Sequence, residues 1–157
     1  MKKTIGMIFF LVASLSGCAQ IKDMMLKTGK VFPDTYSNEY LPFESQTRFT
    51  PTVSDAEIVE TLIAEQIATL NKGMVNQGGS CPVIHDKLQS YYRQYVGYVD
   101  AKGERIVWVN FLWKKEYKKS EISEDVILVF DGCSYYWNVK VNLDKRTVFD
   151  LSVNGSA

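Results

Sequence analysis

The second half of this chain is written in a two-residue period. Tyr135, Trp137, Val139, Val141 and Leu143 alternate with Tyr136, Asn138, Lys140 and Asn142. Side chains alternate across a strand, so residues 135–143 present an apolar face and a polar face. Residues 91–99 and 105–113 flank Asp100-Ala101-Lys102-Gly103, a hairpin signal. In 105–113, Val107, Val109, Phe111 and Trp113 alternate with Trp108, Asn110 and Leu112, so both faces are apolar and the strand belongs at the centre of a sheet. The short apolar run 126–130, before Asp131-Gly132, predicts a further strand. Residues 147–153 return after a turn at 144–146, with Phe149, Leu151 and Val153 alternating against Val148, Asp150 and Ser152.

One helix precedes these strands. Val59, Leu62, Ile63, Ile67 and Leu70 recur at steps of three and four, which puts them on one stripe of a helix over 55–72. Ser54 with Glu57 three residues later reads as a capping box, and Gly73 as the residue that ends the helix. Glu57 and Glu60 fall outside the stripe and read as solvated charges. One helix and about four to five antiparallel strands make an α+β domain over 53–157. With 157 residues there is room for one such domain and a tail.

The amino terminus has a different character. Lys2 and Lys3 precede an apolar run over residues 5–15, too short for the roughly 20 apolar residues a membrane-spanning helix needs. Charge, apolar run and the small pair Ser16-Gly17 have the proportions of a signal peptide over 1–17. Leu15-Ser16-Gly17-Cys18 resembles the lipobox of bacterial lipoproteins. The resemblance implies cleavage before Cys18, diacylation of its thiol and acylation of the new amino terminus. Two or three acyl chains hold a protein on a membrane stably where one does not. Ala19 does not resemble an inner-membrane retention signal, which in a Gram-negative host implies the outer membrane. Residues 18–52, with Pro33, Pro42 and Pro51, read as the lipidated terminus followed by a tether. Tyr36, Tyr40, Leu41, Phe43 and Phe49 imply that part of it packs on the domain as an extended arm.

The helix-then-strands layout resembles the cystatin-like and NTF2-like group, in which a helix lies across a curved antiparallel sheet. The stretch from about 88 to 155, with Tyr91-Tyr92-Arg93-Gln94-Tyr95 and the ending Phe149-Asp150-Leu151-Ser152-Val153-Asn154-Gly155, resembles small lipoproteins of Bacteroidetes. Cystatins inhibit proteases through a Gln-x-Val-x-Gly hairpin loop. Gln94-Tyr95-Val96-Gly97 is one residue short of it and lies inside a strand, so the inhibitory motif is not met.

Little in the sequence points to catalysis. Eighteen basic side chains balance 18 acidic ones, so the electrostatic excess of a nucleic-acid binder is missing and no nucleic-acid partner is expected. No phosphate-binding glycine loop is present, and no cofactor is expected. His85 is the single histidine. With Cys81 it lacks the second ligand pair of a zinc site, and no nucleophile elbow accompanies it. Cys81 and Cys133 remain once Cys18 is acylated, and in an oxidising compartment they form a candidate disulfide, the other reading being two buried thiols. The remaining feature is aromatic density on the strands. Tyr92 and Tyr98, with Arg93, Tyr136, Asn138 and Lys140, form the candidate binding face. The sequence therefore points first to a lipid-anchored, non-enzymatic binding or accessory protein with an envelope protein or glycan as partner. A small-ligand or glycan module using the aromatic face is second, and an enzyme with a site near His85 third.

Overall fold

The computed structural model describes residues 24–25, 29–41, 43 and 45–155, so the expected signal peptide over 1–17 and the lipidation of Cys18 lie outside the described residues. The elements in chain order are strands β1 (Met24–Met25), β2 (Gly29–Phe32) and β3 (Thr47–Phe49), helix α1 (Val53–Leu70), then strands β4 (Tyr91–Val99), β5 (Arg105–Trp113), β6 (Tyr136–Asn142) and β7 (Thr147–Val153). Among the described residues the fold is α+β, with one α-helix on an open, mostly antiparallel sheet in the order β1-β2-β4-β5-β6-β7.

The period-2 pattern explains the layers. From β5, Val107, Val109 and Phe111 face the helix with Tyr91 and Tyr95 of β4 and Trp137, Val139 and Val141 of β6. Ala56, Val59, Leu62, Ile63 and Ile67 of α1 are buried against them. Phe111 and Trp137 stack at 3.6 Å between ring centres, with Tyr91 edge-on to both. Complete burial of each such side chain contributes about 1.5–3 kcal/mol before entropy. The even residues Val96, Tyr98, Ile106 and Trp108 build a second core on the other face with Phe32, Leu41, Phe43 and Val126.

Of the residues expected to be tether or arm, Met24–Met25, Gly29–Phe32 and Thr47–Phe49 are strands of the sheet. Gly29–Phe32 pairs in parallel with Arg93 to Val96, and Thr47–Phe49 pairs antiparallel with Gly97 to Val99, so two short strands share one edge of β4. The parallel pair departs from the antiparallel expectation, because four residues are too few to display a period. Gly97 permits the second pairing: a Cβ there would lie 2.5 Å from the Phe49 carbonyl oxygen. The intervening residues bring Leu41 and Phe43 onto the sheet, where Phe43 stacks on Tyr98 at 4.5 Å.

The structure departs locally from the expected pattern in four places. The helix begins two residues early. Thr52 is the cap, accepting from the Asp55 amide at 3.1 Å, while Asp55 accepts from the Thr52 amide at 2.9 Å. Asp55 also meets Arg105 at 3.4 Å, a long-range contact that favours this frame over Ser54 and Glu57. The helix ends at Leu70, with Asn71 rather than Gly73 closing the last turn by donating to the Ile67 carbonyl at 2.8 Å.

Residues 126–130 form no strand. Side chains hold this segment instead. The buried Gln94 donates to the carbonyls of Ile122 (2.9 Å) and Asp125 (2.7 Å) and accepts from the Ile127 amide (2.9 Å). Asn110 donates to Gln94 (3.0 Å) and to the Ile127 carbonyl (2.7 Å). Two amides on the open face thus replace a sheet ladder.

The alternation in β7 breaks at a bulge. Lys140 pairs with Phe149 but Asn138 pairs with Ser152, and Asp150 takes a positive φ of 54°. Val148, Leu151 and Val153 therefore reach the helix-side core, while Phe149 is partly exposed.

Candidate functional site

The sheet's second face is covered unevenly. The arm covers β4 and β5, and residues 122–128 lie over Gln94 and Asn110. The β6–β7 end stays open as a cleft of about 590 Å³. Trp108, Asn138 and Lys140 line it from the sheet, residues 128–130 form a wall, Tyr40 stands on the rim, and Asp150, Ser152 and Asn154 close the β7 side.

Each group is held by a neighbour. Trp108 is buried and donates its indole N–H to the Asn138 carbonyl oxygen at 3.0 Å. That bond fixes the amide, so the Asn138 NH2 group points elsewhere and has no protein partner among the described residues. The β7 bulge brings the Asp150 carboxylate to 2.5 Å from the Lys140 ammonium. Asn154 donates to the carbonyls of Val129 (2.6 Å) and Asp131 (2.9 Å), while Asn110 holds Ile127. Between these two fixed points Phe130 is 87% exposed, and Tyr40 across the cleft is 71% exposed.

Two further clefts border the same edge strand on its helix side. One of about 540 Å³ lies between Leu70, Met74, Val75 and Leu151, and one of about 370 Å³ between Gln66, Leu70 and Val148. Gln66 caps the free edge of β7 there, donating to the Arg146 carbonyl at 3.0 Å and accepting from the Val148 amide at 2.9 Å. A side-chain amide thus stands in for a neighbouring strand, and with the bulge it blunts the edge against unwanted pairing.

Of the six residues expected on the binding face, the structure brings only Asn138 and Lys140 into the open cleft. Tyr98 shares their face but is buried beneath Phe43. Burial pushes its phenol up to about 12. Tyr92 lies at the far end of β4, under the Lys114 ammonium. Tyr136 packs edge-on to Tyr117, and burial raises its pKa, with the neighbouring Tyr117 adding to the shift.

Arg93 does not lie on the expected binding face. Its odd parity places it on the helix face, 1% exposed, where it meets Glu60 at 3.2 Å and lies 5.1 Å from the centre of the Phe111 ring. Glu60, expected to be a solvated charge, also accepts from the Tyr95 hydroxyl at 2.8 Å. A buried guanidinium needs a counter-charge, which draws Glu60 inward from the helix flank.

The expectation missed Tyr40, Trp108, Phe130, Asp150, Ser152 and Asn154 as neighbours in one cleft. One signal lay in the sequence: Phe130 directly precedes the Asp131-Gly132 turn, where an aromatic has few chances of burial. The positive φ at Asp150 has no sequence signal, because only pairing against β6 creates it.

Cys81 and Cys133 are joined by a disulfide, with 6.1 Å between their Cα atoms. The bridge ties the loop after α1 to the turn before β6. In that loop Asn71 and Gln77 exchange side-chain hydrogen bonds at 2.8 and 2.6 Å, and Asn71 donates to His85 Nδ1 at 2.9 Å. Nδ1 is therefore the accepting nitrogen, and His85 serves this polar staple. His85 lines none of the three clefts above.

Among the described residues no group of three His, Cys, Asp or Glu side chains converges to hold a metal ion. No helix among them is long and apolar enough to cross a membrane. Comparison with protein-family models, curated proteins and solved structures returned no match to this chain.

Proposed function

We propose that this chain is a lipid-anchored protein of the cell envelope that acts by holding a partner in the β6–β7 cleft. The observation that carries the reading is that β1 and the cleft lie at opposite ends of the sheet. Cys18 precedes β1 by six positions, a reach of at most roughly 20 Å in extended chain. β1 forms one edge of the sheet and β7 the other, five strand spacings or about 24 Å apart. A lipid on Cys18 would hold the β1 edge near the bilayer and turn the cleft outward.

The signal-peptide proportions of residues 1–17 and the lipobox order Leu15-Ser16-Gly17-Cys18 support export and acylation. The Cys81–Cys133 bridge fits an oxidising compartment. The single helix across an antiparallel sheet supports a place in the cystatin-like and NTF2-like group; fold alone assigns no activity. Mixed aromatic and polar lining, with the sole histidine engaged elsewhere, favours binding over turnover.

The test compares envelopes from cells making carboxyl-terminally tagged wild type, Cys18→Ala and Phe130→Ala. The reading expects wild type and Phe130→Ala in the membrane fraction, Cys18→Ala outside it, and a stoichiometric partner with wild type but not with Phe130→Ala. A wild-type protein that stays soluble and uncleaved overturns the anchor. Equal partner recovery with Phe130→Ala overturns the cleft.

A further inference from the structure

The binding reading leaves open what the cleft takes, and its chemistry narrows the choice. We propose that the β6–β7 cleft binds an uncharged carbohydrate. This rests on the cleft being a binding site, as above, and not on the anchor.

Charge gives the first argument. The one lysine of the lining, Lys140, is already neutralised by Asp150 at 2.5 Å. A phosphate, sulfate or carboxylate would meet a cation that already has its counter-ion. A cationic ligand would compete with Lys140 for one carboxylate. A neutral ligand keeps the ion pair and accepts charge-assisted hydrogen bonds from it.

Polar and apolar groups of the lining are also arranged to suit such a ligand. Trp108 locks the Asn138 amide so that both NH2 donors are available, and Ser152 adds an exposed hydroxyl. Fixed donors and acceptors on a sheet suit the closely spaced hydroxyls of a sugar ring. Tyr40 and Phe130 hold two aromatic faces in water at the rim. Aromatic surfaces bury large area at low entropic cost and fit the apolar C–H face of the same ring. Sugars are amphipathic in this way, with hydroxyls around the edge and C–H groups on the faces. The volume of about 590 Å³ lies within the range of small-ligand sites.

An extended peptide is the competing occupant. The geometry disfavours it, because strand addition needs a regular free edge, and β7 is capped at its start by Gln66 and bent at Asp150.

The test uses the full chain, solubilised in detergent, on an array of uncharged oligosaccharides built from glucose, mannose, galactose, xylose and N-acetylglucosamine. Sialylated and sulfated glycans and a library of extended peptides form the control arms. Affinities are followed by tryptophan fluorescence, since Trp108 floors the cleft. We expect retention of at least one uncharged oligosaccharide, little changed between low and high salt. Phe130→Ala should weaken it at least tenfold. Asn138→Asp keeps the acceptor that holds Trp108 but loses both donors, and should also weaken it at least tenfold. Preference for the anionic glycans, retention of peptide that Phe130→Ala abolishes, or no oligosaccharide bound at millimolar concentration overturns the proposal. Cys18→Ala should bind the same sugars as wild type. Loss of membrane attachment with sugar binding intact therefore removes only the anchor.

Discussion

Replacing Gln94 with leucine separates the side-chain support of the cleft wall from the rest of the fold. Gln94 is 0% exposed and makes four hydrogen bonds, to Ile122, Asp125, Ile127 and Asn110. At a net value of about 0.5–1.5 kcal/mol each, losing all four costs about 2–6 kcal/mol if residues 122–127 stay docked. The segment has an alternative: it can lift and hydrate its own backbone. That route exposes Ile122 and Val126, both buried, at about 1.5–3 kcal/mol each. The two routes are comparable, so the variant should lose about 3 kcal/mol and populate the lifted state. Urea unfolding followed by tryptophan fluorescence gives the stability. Amide hydrogen exchange gives the location, with protection at Ile127 falling by more than the global change while helix amides track it. A loss below about 1 kcal/mol, or unchanged protection at Ile127, would refute the view that side-chain amides hold this segment.

Other perturbations test separate parts of the structure. Cutting the Cys81–Cys133 link by double serine substitution frees a loop of 52 residues and should destabilise the chain by about 4 kcal/mol in the chain-entropy model, read by urea unfolding with and without reductant. Glu60→Gln leaves Arg93 buried without its counter-charge. Because Glu60 keeps 29% side-chain exposure, the expected loss is about 2–3 kcal/mol rather than the full cost of a buried pair, and adding Arg93→Met should recover part of it. Burial raises Tyr98 from 10.0 to about 12, so the unfolded chain ionises first and stability should fall as pH rises from about 10 to about 12. Absorbance at 295 nm should then show a late step that is smaller in Tyr98→Phe than in wild type; no difference between the two at that step contradicts its burial.

What was legible in the sequence was whatever a short-range period could carry. The stripe of α1 and the alternation of β5 and β6 predict the helix-side core almost residue by residue, since one buried face demands that spacing. Pairing partners were not legible. Nothing local distinguishes the parallel docking of Gly29–Phe32 on β4 from a linker. Residues 126–130 have the composition of a strand, yet Gln94 and Asn110 reach their backbone from below and no ladder forms. Arg93 shows the cost of sorting by polarity alone: its parity already placed it beside Tyr91 and Tyr95. The cleft depends on such non-local events, on the bulge that sets Asp150 against Lys140 and on the Asn154 bonds that fix Phe130 in water. Asn138 and Lys140 were foreseeable as open-face residues of β6, but their neighbours were not.

The central claim is that an anchored chain presents this cleft to a partner. A photo-crosslinking side chain at position 130, in living cells, tests it most directly. Irradiation should yield a discrete adduct in the membrane fraction, sensitive to glycosidase. A control crosslinker at Lys72, on the helix side of the sheet, should yield none. Absence of any adduct from position 130 in correctly anchored protein, or the same adduct from both positions, would contradict the account.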